Sequence, residues 1–110
     1  MSLRQKQSRF VFKVAELIIQ AKDLGYQVTL GDGYRDPRLF KMTEPHPYSS
    51  PSSRHTMRLA VDLNLFVKRK CRWTYCEDTE DYTELGEYWE SLGGIWGGRF
   101  DDGNHFEWPL

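Results

Sequence analysis

Residues 58–67 constrain the fold of this chain more than any other stretch, because their apolar side chains follow the two-residue period of a β-strand. Asp62 lies on the opposite face, between Ala60 and Asn64. A carboxylate held among apolar neighbours is costly unless it is paired, hydrogen-bonded or bound to a cation. The strand therefore predicts either a sheet with one solvated face or a partner for Asp62. The apolar face consists of Leu59, Val61, Leu63 and Leu65.

Two histidines are candidates for that partner. His55 precedes Asp62 at a spacing that leaves a short turn to bring its imidazole back beside the strand, and His105 lies in a predicted strand anchored by Phe106 and Trp108. Two neutral imidazoles and one carboxylate can hold a zinc ion and leave one position open for a water nucleophile. We therefore expect His55, Asp62 and His105 to be metal ligands and Zn²⁺ to be the cofactor.

A fourth group is needed to move the proton of the attacking water. Asp102 is the first candidate, because a carboxylate three residues before His105 can lie beside the metal without binding it. Asp101 is the alternative. Glu107 could instead orient a ligand through a hydrogen bond.

The rest of the chain predicts helices and strands that could support this site. Apolar residues at steps of three and four predict an amphipathic helix over residues 4–24, which Gly25 ends. Residues 26–30 alternate as a half-buried strand, and residues 71–75 return as a strand after a basic turn. A second helix is predicted to start near Asp78 or Thr79 and to end at Gly93 and Gly94, before a glycine-rich loop.

Two loops carry side chains with more than one interpretation. Arg35 could pair with Asp32 or Asp36 on the surface, or it could bind a substrate carboxylate through two hydrogen bonds. Residues 42–53 are rich in proline and serine and predict a long irregular loop. His46 lies in that loop, where we expect a solvated side chain and no metal ligand.

Length and composition exclude several classes of function. A chain of 110 residues predicts one domain, and 15 basic against 16 acidic side chains give no general attraction to nucleic acid or to an anionic membrane. We find no signal peptide or apolar span, and expect a monomer that is made in the cytoplasm and has no stable membrane association. Any work outside the cytoplasm would need a separate route across the membrane. Cys71 and Cys76 are expected to be reduced thiols.

Three short motifs, at residues 33–35, 53–62 and 102–105, resemble a family of zinc peptidases. The family includes D-alanyl-D-alanine carboxypeptidases and dipeptidases and the L-alanyl-D-glutamate endolysins of phages. Its motifs are Gly-Tyr-Arg, Ser-x-His-x-x-Gly-x-Ala-x-Asp, and Glu or Asp-x-x-His. The resemblance covers most of the chain, and the aspartate before the last histidine looks more like the endolysin branch.

The resemblance implies a role for each matching residue. Zinc would be held by His55, Asp62 and His105, Asp102 would act as general base and acid, and Arg35 and Ser53 would contact the substrate. The implied fold is a single small α+β domain, residues 1–110, with helices packed on an antiparallel sheet as in hedgehog and DD-peptidase domains.

Arg58 departs from the pattern, because it stands where the family has glycine. An arginine would perturb this position if the backbone there needs a positive angle. Alternatively, Arg58 lies at the rim of the site and contacts an acidic stem peptide.

The function implied is zinc-dependent hydrolysis of an amide bond in the peptidoglycan stem peptide, and an L-alanyl-D-glutamate endopeptidase is the preferred form. Such an enzyme would act at the cell wall if it were released or exported by another route. One alternative is a D-alanyl-D-alanine carboxypeptidase or dipeptidase. The other is a non-catalytic zinc-containing domain of a cell-wall complex or phage particle. A purely structural zinc site would favour four protein ligands and would not need Asp102.

Overall fold

The computed structural model describes residues 1–34 and 54–110, and the strands of this part form an antiparallel sheet. The strands are β1 (Gln27–Leu30), β2 (Ala60–Arg69), β3 (Arg72–Tyr75), β4 (Ile95–Trp96) and β5 (His105–Glu107). Strand β2 joins the two parts of the sheet. Its residues 60–62 pair with β5, residues 63–66 pair with β1, and residues 66–69 pair with β3. β4 pairs with the outer edge of β5.

Within residues 1–34 and 54–110, two α-helices pack with this sheet. Helix α1 (Leu3–Asp23) begins with a capping box between Ser2 and Gln5, in which each side chain bonds to the backbone of the other residue. Helix α2 (Thr83–Ser91) follows a 3-10 turn at Thr79–Tyr82. The predicted α+β fold is confirmed. The buried core contains Phe10, Leu17 and Ala21 from α1, Leu63 and Leu65 from β2, and Leu85 and Trp89 from α2.

Trp89 connects helix α2 to the last strand. Its ring meets those of Phe10, Phe106 and Trp108 edge-on, with ring centroids 5.9, 6.1 and 5.6 Å away. Its indole N–H also donates a hydrogen bond to the backbone carbonyl of Glu107, at 2.9 Å. Burial of a large aromatic side chain and a hydrogen bond of its polar atom thus fix the position of β5, the strand that carries His105.

The structure adds one strand that was not predicted and corrects the start of another. The glycine-rich segment before His105 contains β4, a strand of only two residues that is too short to show an alternating pattern. The return strand begins at Arg72, because Lys70 and Cys71 form the hairpin turn with positive φ angles of 50° and 65°. Cys71 is therefore in the turn, where it is exposed, while Cys76 is buried; both are free thiols.

None of the helices in the described ranges combines the length and apolar character needed to cross a bilayer.

Candidate metal centre

Backbone hydrogen bonds hold Asp62 on one edge of β2, and strand pairing fixes its position on the other. The extension of β1 lies along one edge, where the Gly31 N–H donates to the Asp62 carbonyl at 2.8 Å and the Asp62 N–H donates to the Asp32 carbonyl at 2.7 Å. On the other edge, Asp62 is the direct register partner of His105 in β5. The sheet itself therefore places this carboxylate next to one of the two histidines.

His55 reaches the same point from a 3-10 turn, Arg54–Met57, that precedes β2. The residue is only 2% exposed. Its Nδ1 atom lies 2.8 Å from the backbone carbonyl of Gly33. Because a carbonyl can only accept, Nδ1 carries the proton and Nε2 of the neutral ring keeps its lone pair.

His105 has the opposite tautomer for the same kind of reason. Its Nε2 atom lies 2.9 Å from Oε1 of Glu107, so Nε2–H donates to the carboxylate and Nδ1 keeps the lone pair of the neutral ring. Glu107 in turn lies 3.7 Å from the Arg54 guanidinium. A charged pair thus stands behind His105, as is common for histidines that bind metals.

Three electron-pair donors consequently face one another. Nε2 of His55 lies 3.2 Å from Nδ1 of His105 and 3.2 Å from Oδ1 of Asp62, and the last two atoms are 3.3 Å apart. Donors around a tetrahedral zinc ion with bonds of about 2.0–2.1 Å are separated by about 3.3 Å. The tautomers and the separations both fit a cation, so this group could hold a metal ion.

The charges in the group shift the pKa values of two of its members. Burial alone would raise the pKa of Asp62, but the hydrogen bonds that its carboxylate accepts when a facing ring nitrogen of His105 or His55 carries a proton outweigh burial and lower that pKa to about 2. Burial would lower the pKa of His105, but its bonds to Asp62 and Glu107 outweigh it and raise that pKa above its usual value. Positive charge is thus favoured between these carboxylates, whether it comes from a proton or from a metal ion.

Arg58 adopts the positive backbone angle that its position requires, with φ of 57°. The Leu59 N–H bonds back to the Arg54 carbonyl and the Arg58 N–H bonds to the His55 carbonyl, which is the hydrogen-bond pattern of a Schellman cap. Arg58 occupies the cap position that usually favours glycine. Its guanidinium lies 4.0 Å from the centre of the Tyr34 ring, and this stacking offsets part of the backbone strain.

Asp102 lies in the turn that leads into β5. Its backbone N–H donates to the Gly97 carbonyl at 2.9 Å, and its carbonyl accepts from the His105 N–H at 3.1 Å. The exposed Asp102 and its neighbour Asp101 line a polar recess of about 150 Å³. The backbone bonds tie Asp102 to His105, and its role as the proton carrier stays a prediction.

Arg35, Ser53 and His46 lie outside the described residues, and so do Asp36 and the predicted loop at 42–53. The roles of Arg35 and Ser53 in substrate binding therefore remain predictions.

A family model described as D-alanyl-D-alanine carboxypeptidase matches residues 48–108, more than half of the chain. The chain therefore belongs to the D-alanyl-D-alanine carboxypeptidase family. The matched range contains His55, Asp62 and His105, so the possible metal site lies within the part of the chain that matches the family model. Comparison with curated proteins finds no significant match.

Two groups that hold the ligands in place in this carboxypeptidase-family chain were not among the predicted site residues. The Gly33 carbonyl orients His55, and a backbone acceptor leaves no signal in the identity of its residue. Arg54 faces the carboxylate behind His105. In the sequence, only its position directly before the predicted ligand His55 indicates a role for Arg54 in the site. Most surface arginines form weak ion pairs that support no site.

Proposed function

We propose that this chain is a zinc-dependent peptidase that hydrolyses an amide bond in the peptidoglycan stem peptide. The observation that carries the proposal is the convergence of three lone-pair donors at 3.2–3.3 Å in a member of a peptidase family. We infer an L-alanyl-D-glutamate endopeptidase, a preference that comes from the aspartate at position 102 and the resemblance to the endolysin branch.

His55, Asp62 and His105 would hold the zinc ion, and the backbone carbonyl of Gly33 and the carboxylate of Glu107 would keep the two imidazoles oriented. A zinc ion bound there would supply Lewis acidity, which polarises a carbonyl group and makes a water molecule a nucleophile near neutral pH. Asp102 would take the proton of the attacking water and return it to the leaving amine. Arg35 and Ser53 would position the stem peptide.

A second candidate, a D-alanyl-D-alanine carboxypeptidase, is supported by the description of the matching family. Digestion of purified peptidoglycan with and without added zinc, followed by mass spectrometry, separates the two candidates. New L-alanine carboxyl termini identify the endopeptidase, and released D-alanine identifies the carboxypeptidase. Zinc binding without any new terminus would instead support the non-catalytic domain.

Three isosteric variants test the proton carrier. We expect Asp102→Asn to lower turnover by a factor of about 10²–10⁴, the usual contribution of general acid–base catalysis. Asp101→Asn introduces asparagine, which like aspartate tolerates the left-handed region, at a position with φ of 64°, and it should retain activity, as should Asp78→Asn on the exposed surface. Full activity of Asp102→Asn together with loss in Asp101→Asn would transfer the role to Asp101.

A further inference from the structure

An apolar cleft of about 270 Å³ lies between helix α1 and the start of β2. Val11 and Val14 line it from α1, and Val61 lines it from β2. Arg58 and Tyr34 also line the cleft, and Arg58 is the only charged residue among the described residues that do so. The cleft therefore combines an aliphatic wall with one exposed positive charge.

The guanidinium of Arg58 has its flat face on Tyr34, and its donors have no partner among the residues that the structure describes. No carboxylate within the ranges 1–34 and 54–110 forms an ion pair with it. Arg99 offers a contrast, because it also stacks on an aromatic ring, that of Trp96, but both of its bonding nitrogens are engaged by Glu90 at 2.7 and 2.9 Å. A stacked guanidinium with open donors is suited to bind a carboxylate in its plane.

The cleft is also close to the candidate metal centre. Tyr34 directly follows Gly33, whose carbonyl orients His55. Ala60, another lining residue, lies on the same strand and the same face as Asp62, and two residues of a β-strand span about 7 Å. One or two residues of an extended peptide cover the same length.

We propose that Arg58, Tyr34 and the valine wall form a substrate subsite, which binds a free carboxylate next to a short aliphatic group within one or two residues of the bond that is cut. The occupant is the acidic part of the stem peptide, because the only charge lining the cleft in the described structure is positive and the remaining wall is apolar. This inference rests on the proposed peptidase function and names a determinant of its substrate choice.

Nuclear magnetic resonance titration of the zinc-loaded full chain tests the subsite with two probes. The first is the tripeptide L-alanyl-γ-D-glutamyl-L-lysine with an amidated C-terminus, and the second is the same tripeptide with the D-glutamyl carboxylate also amidated. We expect the first probe to shift the amide signals of Tyr34, Arg58 and Ala60 and to bind about tenfold more tightly than the second. Equal affinities for the two probes would overturn the proposal.

Variants assign that preference to the cleft. Arg58→Gly should fold, since glycine suits the Schellman position, and it should weaken binding of the acidic probe about tenfold and remove the preference. Val11→Glu, at a wall position that is 61% exposed, should also weaken binding of the acidic probe by charge repulsion. Arg99→Gln is the matched control and should change neither affinity. Unchanged preference in Arg58→Gly, or an equal loss in Arg99→Gln, would contradict the assignment.

Cleavage of the same two probes separates this inference from the proposed function. Binding that depends on Arg58 without cleavage of either probe would support the subsite and remove the peptidase. Cleavage of both probes with equal kcat/KM, in the wild type and in Arg58→Gly alike, would support the peptidase and remove the subsite.

Discussion

At the scale of single residues, the carboxylate of Glu107 determines which nitrogen of His105 faces Asp62. Its Oε1 accepts a hydrogen bond from Nε2–H at 2.9 Å, while Oε2 lies 3.7 Å from the Arg54 guanidinium. Without this acceptor, the His105 ring could present either nitrogen to the metal group. The hydrogen bond therefore prepares Nδ1 as a donor before any ion arrives.

We expect Glu107→Ala to weaken zinc binding by a factor of about 10–100, measured by competition with a chromophoric chelator. Glu107→Gln should lose less zinc affinity, because its amide oxygen can still accept a hydrogen bond from Nε2–H of His105, although the charge attraction to Arg54 is lost. Glu90→Ala removes a similar carboxylate–arginine pair, with Arg99, in which none of the three candidate ligands takes part, and it should leave zinc affinity unchanged. An unaffected Glu107→Ala variant would show that His105 is oriented by other contacts.

The sequence pattern could identify the three candidate ligands, but not all of the groups that support them. The spacing of His55, Asp62 and His105 was sufficient to select three side chains that the structure brings together. The family glycine position could be questioned from the sequence, but only the backbone shows that Arg58 tolerates it as a helix cap. The role of the Gly33 carbonyl in orienting His55 could not be predicted, since every residue carries the same backbone acceptor.

At the scale of secondary-structure elements, the turn at 97–103 is packed closely under the last strand. A methyl group on Gly97 would lie 2.3 Å from the Asp102 carbonyl oxygen and 2.7 Å from Cβ of His105. Both neighbours belong to the segment that carries the site, and a backbone carbonyl cannot rotate away as a flexible side chain can. The close approach explains why glycine stands at position 97.

Gly97→Ala should destabilise the fold by about 1–3 kcal/mol in urea unfolding and should also weaken zinc binding, because His105 must move. Gly33→Ala is the matched control, since a methyl group there meets nothing within 4 Å and its hydrogen bond to His55 uses the backbone only. Equal stability of the two variants would mean that the turn relaxes without strain.

Long secondary-structure elements could be predicted from the sequence, and the shortest strand could not. Helix α1 and strand β2 were identified because each is long enough to repeat its period several times. Strand β4 was missed, because two residues contain no period and its pairing with β5 depends on contacts between different parts of the chain. Tertiary pairing of this kind is not recorded in local sequence.

At the scale of the whole molecule, the three candidate ligands connect parts of the chain that are distant in sequence. A metal ion bound to the native state alone adds stability by mass action, about 2.7 kcal/mol when its free concentration is 100 times its dissociation constant. We therefore expect zinc at that concentration to raise the melting temperature by about 10 °C, measured by circular dichroism. His55→Ala should show almost none of this increase, and an equal increase in that variant would place the ion elsewhere.

Alkaline stability provides a second test of the whole fold. Burial raises the pKa of Tyr82 to about 12, although its hydrogen bond from the Leu65 N–H acts in the opposite direction. The neutral phenol is thus favoured in the folded state, and its contribution is complete below the unfolded pKa of about 10. The free energy of unfolding should fall as the pH rises from about 10 to about 12.

Tyr82→Phe should remove most of this pH dependence, although it lowers stability at neutral pH by removing the bonds to Leu65 and Cys76. Tyr26 has a pKa raised to about 12 by its hydrogen bond to Glu84, but it is only half-buried, so Tyr26→Phe should change the alkaline slope less. A larger effect of Tyr26→Phe would contradict the assignment to the core.

The hydrogen bond between Gly33 and His55 has a consequence for how the gene could be shortened. Every side chain of the candidate ligand set lies within residues 48–108, but the carbonyl that selects the His55 tautomer lies before that range. A truncated product beginning at residue 48 would keep all three donors and lose the acceptor that immobilises one of them. The His55 imidazole would then gain rotational freedom. The segment that carries all three donors is therefore shorter than the segment needed to hold them in a fixed orientation.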